Sequence, residues 1–238
     1  MESSVRHLIV NADDFGQSAG INRGIIEAHE RGIVTSASLM VRWPAAAQAA
    51  EYARAQPNFS IGLHVDLGEW FCRNGEWKSV YQVVDTGDAA AVRTEIGYQF
   101  ETFSALVGTN PTHIDSHQHV HLEEPARGIL KQIANELGVP LRSCNCEIAY
   151  IGSFYGQTAE GMFLPDVISV AGLMKIIDQL PLGVSELGCH PGYADNLETM
   201  YRDERAEEIK VLCDPLIKKA SADRGIELTS FAQLSLVA

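Results

Sequence analysis

The chain is poor in the features that mark membrane proteins and secreted disulfide scaffolds. No apolar run among its 238 residues approaches the length needed to cross a bilayer. Its five cysteines are an odd number without the spacing of a disulfide framework, and no secretory signal pattern precedes the first apolar segment. We therefore expect a soluble, cytoplasmic protein with reduced thiols and no membrane partner.

Basic residues are also scarce. The chain has 18 Lys and Arg against 31 Asp and Glu, a formal net charge of −13, and it lacks even a short basic run. Gripping a phosphate backbone requires a basic surface, so nucleic acid is not an expected partner. The charge favours a neutral or cationic small molecule instead. Cys144 and Cys146 form one short pair without a second, which favours two reduced thiols over a soft-metal site.

Repeats, low-complexity tracts and internal linkers are absent as well, which predicts a single domain over residues 1–238. Apolar or β-branched runs alternate with helical stretches. The predicted strands are 7–12, 33–41, 59–67, 112–116, 140–143, 184–189 and 226–230. The predicted helices are 18–31, 45–56, 89–106, 125–137, 170–179 and 202–224, the last with a possible break at Pro215. This alternation predicts an α/β fold, a distorted or incomplete (β/α) barrel with about seven parallel strands, with a doubly wound open sheet as the alternative.

Two connections, 68–88 and 144–169, are too long for simple turns. Long ordered connections in a compact domain usually shape a binding site. The first carries Trp70 and Trp77, which could stack on a sugar ring or could equally anchor the loop to the protein body. Tyr155, in the second, is a further candidate for contact with a substrate.

Asp and His residues gather where the predicted strands end. Asp13 and Asp14 follow the first strand, His64 lies near the end of the third, His117 follows the fourth and His190 follows the sixth. Barrel enzymes carry their catalytic groups at the carboxyl ends of strands. Two imidazoles and one carboxylate bind borderline divalent cations and leave positions open for water and substrate. The pattern therefore predicts a catalytic metal site in which the second Asp could act as general base.

Each of these groups also has a structural explanation. The Asp pair at 13–14 could lie at a helix N-terminus, where the dipole favours acidic residues, and His64 could be a hydrogen-bonded interior residue. We expect His119 and His121 to be solvated loop residues. Residues 14–16 (DFG) match the metal-binding triplet of protein kinases, but the other kinase motifs are missing, and we reject that interpretation.

Seven segments carry a family resemblance, and they occur in one order along most of the chain. They are NADDFG (11–16), GIIEA (24–28), GIVTS (32–36), IGLH (61–64), PTHIDSHQHVH (111–121), FYG (154–156) and ELGCHPG (186–192). Together they resemble the YdjC/ChbG-like carbohydrate deacetylases, a family that includes chitooligosaccharide deacetylases. Any one segment could arise by chance, whereas the ordered set is specific.

The resemblance implies a distorted barrel, a divalent metal ion usually described as magnesium, and hydrolysis of an N-acetyl group on a small amino sugar or oligosaccharide. Carried over by motif position, the metal ligands are Asp14, His64 and His117. The general base is Asp13, and His190 is the candidate acid. The family often forms homodimers. By ligand chemistry alone, two imidazoles suit zinc, cobalt or manganese.

Asp115 shares a motif with His117, and we expect it to support the ligands rather than bind the metal. Residues 143–146 (SCNC) depart from the pattern expected of a chitobiose-type enzyme, and one branch of the family is linked to hopanoid synthesis. The resemblance therefore does not identify the acylated substrate.

Two rival functions also remain. One is another metal-dependent amidohydrolase on a barrel, although those often carry a His-x-His pair after the first strand. The other is a non-catalytic metal- or sugar-binding protein, which would need neither Asp13 nor His190.

Overall fold

Strands and helices alternate along most of the chain. The structure, a computed structural model, describes residues 5–73, 75–195 and 197–234. The strands are β1 (Arg6–Phe15), β2 (Ser36–Leu39), β3 (Ser60–Val65), β4 (Gly68–Arg73), β5 (Glu76–Gln82), β6 (Ile114–Ser116), β7 (Ile148–Ile151), β8 (Gly183–Cys189) and β9 (Ile226–Thr229). The helices are α1 (Ala19–Arg31), α2 (Ala46–Ala55), α3 (Ala89–Val107), α4 (Ala126–Leu137), α5 (Val170–Asp178), α6 (Asp203–Leu212), α7 (Pro215–Asp223) and α8 (Phe231–Leu234).

Seven of these strands form one parallel sheet in the order β6-β3-β2-β1-β8-β7, with β9 also paired to β1. Read around the sheet, successive strands of the chain lie in one direction, as in a barrel. In a doubly wound fold the direction of the strand order reverses partway through the sheet. The two end strands, β6 and β7, leave the curved sheet open between them. The predicted incomplete (β/α) barrel with about seven parallel strands is therefore confirmed.

The strand predicted at 140–143 is wrong in extent. Leu141 makes one isolated bridge to Ile114 of β6, and the strand that extends the sheet beyond β8 is β7, further along the chain. Ser143 has a φ of +58°, which ends the extended conformation two residues after the bridge. The backbone N–H of Arg142 still donates to the carbonyl of Ile114 at 3.0 Å, and its side chain turns inward.

The long connection at 68–88 contains an antiparallel hairpin of β4 and β5, which lies outside the main sheet. Gly68 opens the hairpin with a φ of +142°, a conformation that favours glycine. A Cβ there would also lie 2.9 Å from the Trp70 ring and from the carbonyl oxygen of Tyr81. The hairpin stands beside the carboxyl ends of the parallel strands, where it can help to form a site.

The helix boundaries follow the local sequence signals. Ser18 caps α1 by accepting a hydrogen bond from the N–H of Ile21. The predicted break at Pro215 is confirmed, because Asp214 caps α7 and Pro215 is its first residue.

Buried apolar side chains between the sheet and the helices form a cluster that runs from Leu8 to Ile226. Within the described ranges, no helix is both long and apolar enough to cross a membrane.

Candidate metal centre and active site

A cavity of about 540 Å³ opens at the carboxyl ends of the parallel strands. Its lining includes the five side chains that the sequence assigns to catalysis and metal binding: Asp13, Asp14, His64, His117 and His190. They come from β1, β3, the turn after β6 and the residue after β8. The volume lies in the ordinary range of small-molecule sites, and the position is the one that barrel enzymes use.

A bulge at the end of β1 turns two successive carboxylates into this cavity. The pairing of β1 with β2 shifts register between Ala12 and Phe15, and Asp14 has a φ of +68°. Successive residues of a regular strand point to opposite faces. A left-handed conformation at a residue other than glycine costs about 1–3 kcal/mol and is concentrated at functional sites. The bulge explains why Asp13 and Asp14 both line the cavity while remaining buried.

Asp14, His64 and His117 form a group that could hold a metal ion. The Oδ1 atom of Asp14 lies 3.4 Å from Nε2 of His64 and 3.1 Å from Nδ1 of His117. One ligand atom from each residue lies within 4.8 Å of the others, and all three residues are buried. Two imidazoles and a carboxylate are the donor set of open catalytic sites for divalent cations.

The electrostatics of this group fit a cation. Burial lowers the pKa of His64, but Asp115 and Asp14 outweigh it and raise the pKa to about 10. Burial likewise lowers the pKa of His117, and Asp14 and Glu69 raise it to about 9. The carboxylates therefore attract positive charge to both imidazoles. A divalent ion bound there would supply that charge in place of two protons, because metal binding requires deprotonated imidazoles.

Further charged groups orient these ligands by contacting the side-chain atoms that face away from the shared centre. Asp115 places its Oδ1 atom 2.7 Å from Nδ1 of His64, which turns Nε2 of that ring toward Asp14. Arg205 donates from Nη2 to Oδ2 of Asp14 at 2.6 Å, so the Oδ1 atom is the one that faces the imidazoles. Burial raises the pKa of Asp14, but Arg205 and His117 outweigh it and hold the pKa well below its usual value.

Arg142 is the buried cation on the other side of the site. Its guanidinium contacts Asp13, Asp115 and Glu186, each at 2.6 or 2.7 Å. Asp13, His64 and Asp115 also approach one another closely enough to hold an ion. Arg142 already satisfies both of those carboxylates, so the group around Asp14 is the better candidate.

His190 faces Asp13 across the cavity, with Nε2 3.8 Å from Oδ2 of Asp13. The rings of Tyr155 and Tyr201 pack against the imidazole at centroid distances of 5.5 and 5.3 Å. Burial lowers the pKa of His190 to about 4, although Asp13 and Asp14 oppose the shift. The imidazole is therefore neutral at pH 7 in the free protein.

Aromatic side chains line the outer part of the cavity. Trp70 and Trp77 reach it from the β4–β5 hairpin, and Tyr155 reaches it from the segment after β7. Trp77 is 63% exposed, which is unusual for a large ring with a purely structural role. Trp70 is partly buried, and its backbone N–H and C=O both bond to the side chain of Gln118. All three side chains thus border the cavity predicted to bind substrate.

The two histidines expected to be solvated loop residues, His119 and His121, differ in their burial. His119 is exposed, as expected of a solvated residue. The same expectation for His121 is wrong, because its side chain is fully buried and its Nδ1 atom lies 2.6 Å from Oγ of Ser116. The 3-10 turn His117–Leu122 folds His121 back under the strand end, so sequence position alone did not reveal its burial.

Four charged residues at the site have no role in the sequence-based prediction: Glu69, Arg142, Glu186 and Arg205. Arg142 and Glu186 carry a detectable signal, since each is the single charged residue inside a predicted strand. Arg205 carries none, because α6 is rich in charged residues and only the tertiary fold buries this one. All five cysteines are free in the structure.

Comparisons with known proteins agree with the fold and with the family resemblance. The sequence profile of the YdjC-like protein family matches residues 7–223. A carbohydrate deacetylase of Geobacillus stearothermophilus is 32% identical over 96% of this chain and 98% of the relative. A chitooligosaccharide deacetylase of Serratia marcescens is 33% identical over 95% of this chain and 98% of the relative. The crystal structure of "a putative cellobiose-phosphate cleavage protein" from Enterococcus faecalis V583 superposes with a TM-score of 0.77 and 28% identity, covering 97% of this chain and 99% of that one.

Proposed function

Because the chain belongs to the family of YdjC-like proteins, we propose that it is a metal-dependent carbohydrate deacetylase. Its reaction is hydrolysis of an N-acetyl group on a small amino sugar or oligosaccharide. The observation that carries the proposal is one cavity in which the Asp14–His64–His117 group adjoins the facing pair of Asp13 and His190. The full-length similarity to proteins named carbohydrate and chitooligosaccharide deacetylases supports the substrate class.

Asp14, His64 and His117 are the proposed metal ligands, supported by the short distances between their donor atoms. A divalent cation, when bound there, polarises the acetamide carbonyl and acidifies water. The family resemblance implies magnesium, whereas two imidazoles suit zinc, cobalt or manganese better. Metal analysis of protein purified without added metal decides between them.

Asp13 is the proposed general base. Burial alone raises the pKa of its carboxyl group, but Arg142 outweighs burial and lowers it, so Asp13 is ionised at neutral pH. In the reaction, Asp13 takes a proton from the water whose oxygen bonds to the acetyl carbon. Both Asp13 oxygens accept hydrogen bonds from Arg142, which holds the carboxylate in one orientation.

His190 is the proposed acid for the leaving nitrogen. With its pKa lowered to about 4, the imidazole starts the reaction neutral. The proton that it delivers must therefore reach it during the reaction, and Asp13, 3.8 Å away, can supply the proton that it took from water. When the carbon–nitrogen bond breaks, His190 passes this proton to the nitrogen, and the products are acetate and the free amino sugar.

The aromatic rim is the proposed binding surface for the sugar. Trp70, Trp77 and Tyr155 border the cavity, and aromatic faces stack on the apolar faces of sugar rings. A volume of about 540 Å³ supports a ligand larger than a single acetamide group.

The decisive experiment incubates metal-loaded protein with a panel of N-acetylated mono- and oligosaccharides and measures released acetate. We expect release from at least one sugar and its loss on addition of a chelator. Two rivals remain. Release of ammonia, or turnover of a non-sugar amide alone, would favour another barrel amidohydrolase. Tight binding without turnover of any acylated sugar would favour a metal- or sugar-binding protein.

Three broader properties belong to the same proposal. A single domain over residues 1–238 is supported by the apolar cluster that runs through the described sheet and helices. A cytoplasmic location is supported by the five free cysteines. A homodimer rests on the family resemblance alone. Limited proteolysis, cell fractionation and light scattering test them in turn.

A further inference from the structure

Glu69 is a buried carboxylate at the site that the proposed mechanism does not use. It follows Gly68 at the start of β4, is 2% exposed and lines the cavity. Its Oε1 atom accepts a hydrogen bond from Oγ1 of Thr199 at 3.0 Å. Its Oε2 atom has no hydrogen-bond partner among the described residues and lies 3.5 Å from Nε2 of His117. Burying a carboxylate is costly unless it is hydrogen-bonded or paired with a neighbouring group.

The two imidazoles of the proposed metal centre have matching surroundings. In each ring, one nitrogen faces Oδ1 of Asp14: Nε2 in His64 and Nδ1 in His117. The outer nitrogen of His64 contacts the carboxylate of Asp115 at 2.7 Å. The outer nitrogen of His117 faces the carboxylate of Glu69 and has no other partner in the part of the chain that the structure describes.

We propose that Glu69 is the positioning residue for His117. It favours the tautomer with the proton on Nε2, so the lone pair of Nδ1 points toward the metal. The chemical reason is that a carboxylate attracts the N–H of a metal-binding imidazole, which fixes the ring and raises its basicity. The inference rests on the metal centre of the proposed function and assigns a second carboxylate–histidine pair to it, beside Asp115–His64.

The fold holds Glu69 opposite His117 through the residues next to each. The side chain of Gln118 accepts a hydrogen bond from the N–H of Trp70 at 2.9 Å and donates one to the C=O of Trp70 at 2.6 Å. Trp70 follows Glu69 in the chain, and Gln118 follows His117. These two bonds clamp the hairpin to the turn after β6. Thr199 holds the carboxylate from a third segment, after β8.

The first test measures metal affinity directly. Zinc binding to the full-length protein is followed by competition with a chromophoric chelator, for the wild type and for Glu69→Met, Glu69→Gln and Asp115→Asn. We expect Glu69→Met to raise the zinc Kd by about 10–100-fold, the usual cost of losing such a partner. Glu69→Gln, which can still accept a hydrogen bond, should lose less. The control is Glu160→Gln, an exposed acid that does not line the cavity, and its change should leave the Kd unaltered.

The second test uses the unaltered protein and so does not depend on the folding of a variant. Nitrogen NMR of ¹⁵N-histidine-labelled, zinc-loaded protein distinguishes the two ring nitrogens of His117. We expect Nδ1 on the metal and a proton on Nε2. Coordination through Nε2 would overturn the inference. So would a wild-type Kd in Glu69→Met, or a loss of zinc as complete as in Asp14→Ala, which would make Glu69 a ligand.

Neither test measures turnover, so the two proposals can fail separately. A protein that releases no acetate but shows the expected zinc affinities and Nδ1 coordination supports the role of Glu69 and refutes the deacetylase function. An active deacetylase in which Glu69→Met binds zinc normally refutes the role of Glu69 alone.

Discussion

Arg142 donates from both terminal nitrogens to the two carboxylate oxygens of Asp13, at 2.6 and 2.7 Å. Both side chains are buried, so solvent weakens the bidentate contact little. Burial raises the pKa of Asp13, and the guanidinium outweighs that effect and lowers it. The same contact thus orients the proposed base and keeps it ionised at neutral pH.

The first prediction is that Arg142→Lys shifts the pH dependence of catalysis. Asp13 is active when deprotonated, so kcat/KM falls as the pH drops through its pKa. Lysine cannot make the bidentate contact, so the effect of burial is less fully opposed and the pKa of Asp13 rises. The acidic limb of the kcat/KM profile should therefore move to higher pH. Arg93→Lys, on the exposed side of α3, is the control and should not move it. An unshifted limb would show that Arg142 does not set the ionisation of the base.

A second prediction separates the adjacent carboxylates Asp13 and Asp14. Asp14→Ala, His64→Ala and His117→Ala should lose metal and activity together, because each removes a ligand atom from one compact group. Asp13→Asn should keep the metal and lose turnover by about 10²–10⁴, because an amide cannot accept the proton. Elemental analysis and acetate release, on variants checked for folding by circular dichroism, decide it. A metal-free Asp13→Asn protein or a fully metallated Asp14→Ala protein would show that the roles of the two carboxylates are exchanged or shared.

His190→Ala should retain its metal and lose turnover by about 10²–10⁴, as expected for removal of an acid. The residue lies beyond the ligand group and contacts Asp13 and two tyrosine rings. Substrates with a better leaving group, such as activated acetate esters, need less help from an acid and should suffer less. Near-normal activity on acetamido sugars would reduce His190 to a structural residue.

Trp77→Ala should raise KM for longer sugars more than for short ones and leave thermal stability nearly unchanged. The ring is 63% exposed at the cavity rim, so little packing is lost on its removal. Tyr98→Ala, 56% exposed on α3, is the matched control and should change neither quantity. Trp70→Ala should raise KM and also lower Tm, because Trp70 is partly buried. A fall in Tm for Trp77→Ala without any change in KM would favour the anchoring role.

Gly24→Ala should destabilise the fold and lower activity. A Cβ at Gly24 of α1 would lie 2.5 Å from the Cα atom of Gly192, in the backbone that follows His190. Such overpacking costs about 1–3 kcal/mol in the free energy of unfolding, and it pushes on the segment that carries His190. Gly97→Ala, on α3 with nothing within 4 Å of the new Cβ, should instead stabilise by about 0.5–1 kcal/mol. Chemical denaturation of both variants checks the sign.

Local sequence patterns predicted most of the framework. Runs of apolar residues and helix-capping signals depend on near neighbours, so they revealed the alternation of strand and helix and the break at Pro215. The strand predicted at 140–143 failed because Ser143 adopts a left-handed conformation that its residue type does not announce. The hairpin of β4 and β5 was hidden in a segment of mixed polarity.

By itself, the sequence determined that the candidate metal-binding and catalytic side chains reach the cavity. Strand order in a barrel brings every strand's carboxyl end to one rim, so Asp13, Asp14, His64, His117 and His190 could be placed there from their positions alone. Only the tertiary structure decided their protonation and orientation. Arg142 meets Asp13 across 129 residues, and Arg205 meets Asp14 across 191. Contacts at such separations leave no local pattern in the chain. They form because folding buries these side chains together. A buried charge without a partner of opposite sign is strongly destabilising, so each carboxylate is paired with a guanidinium.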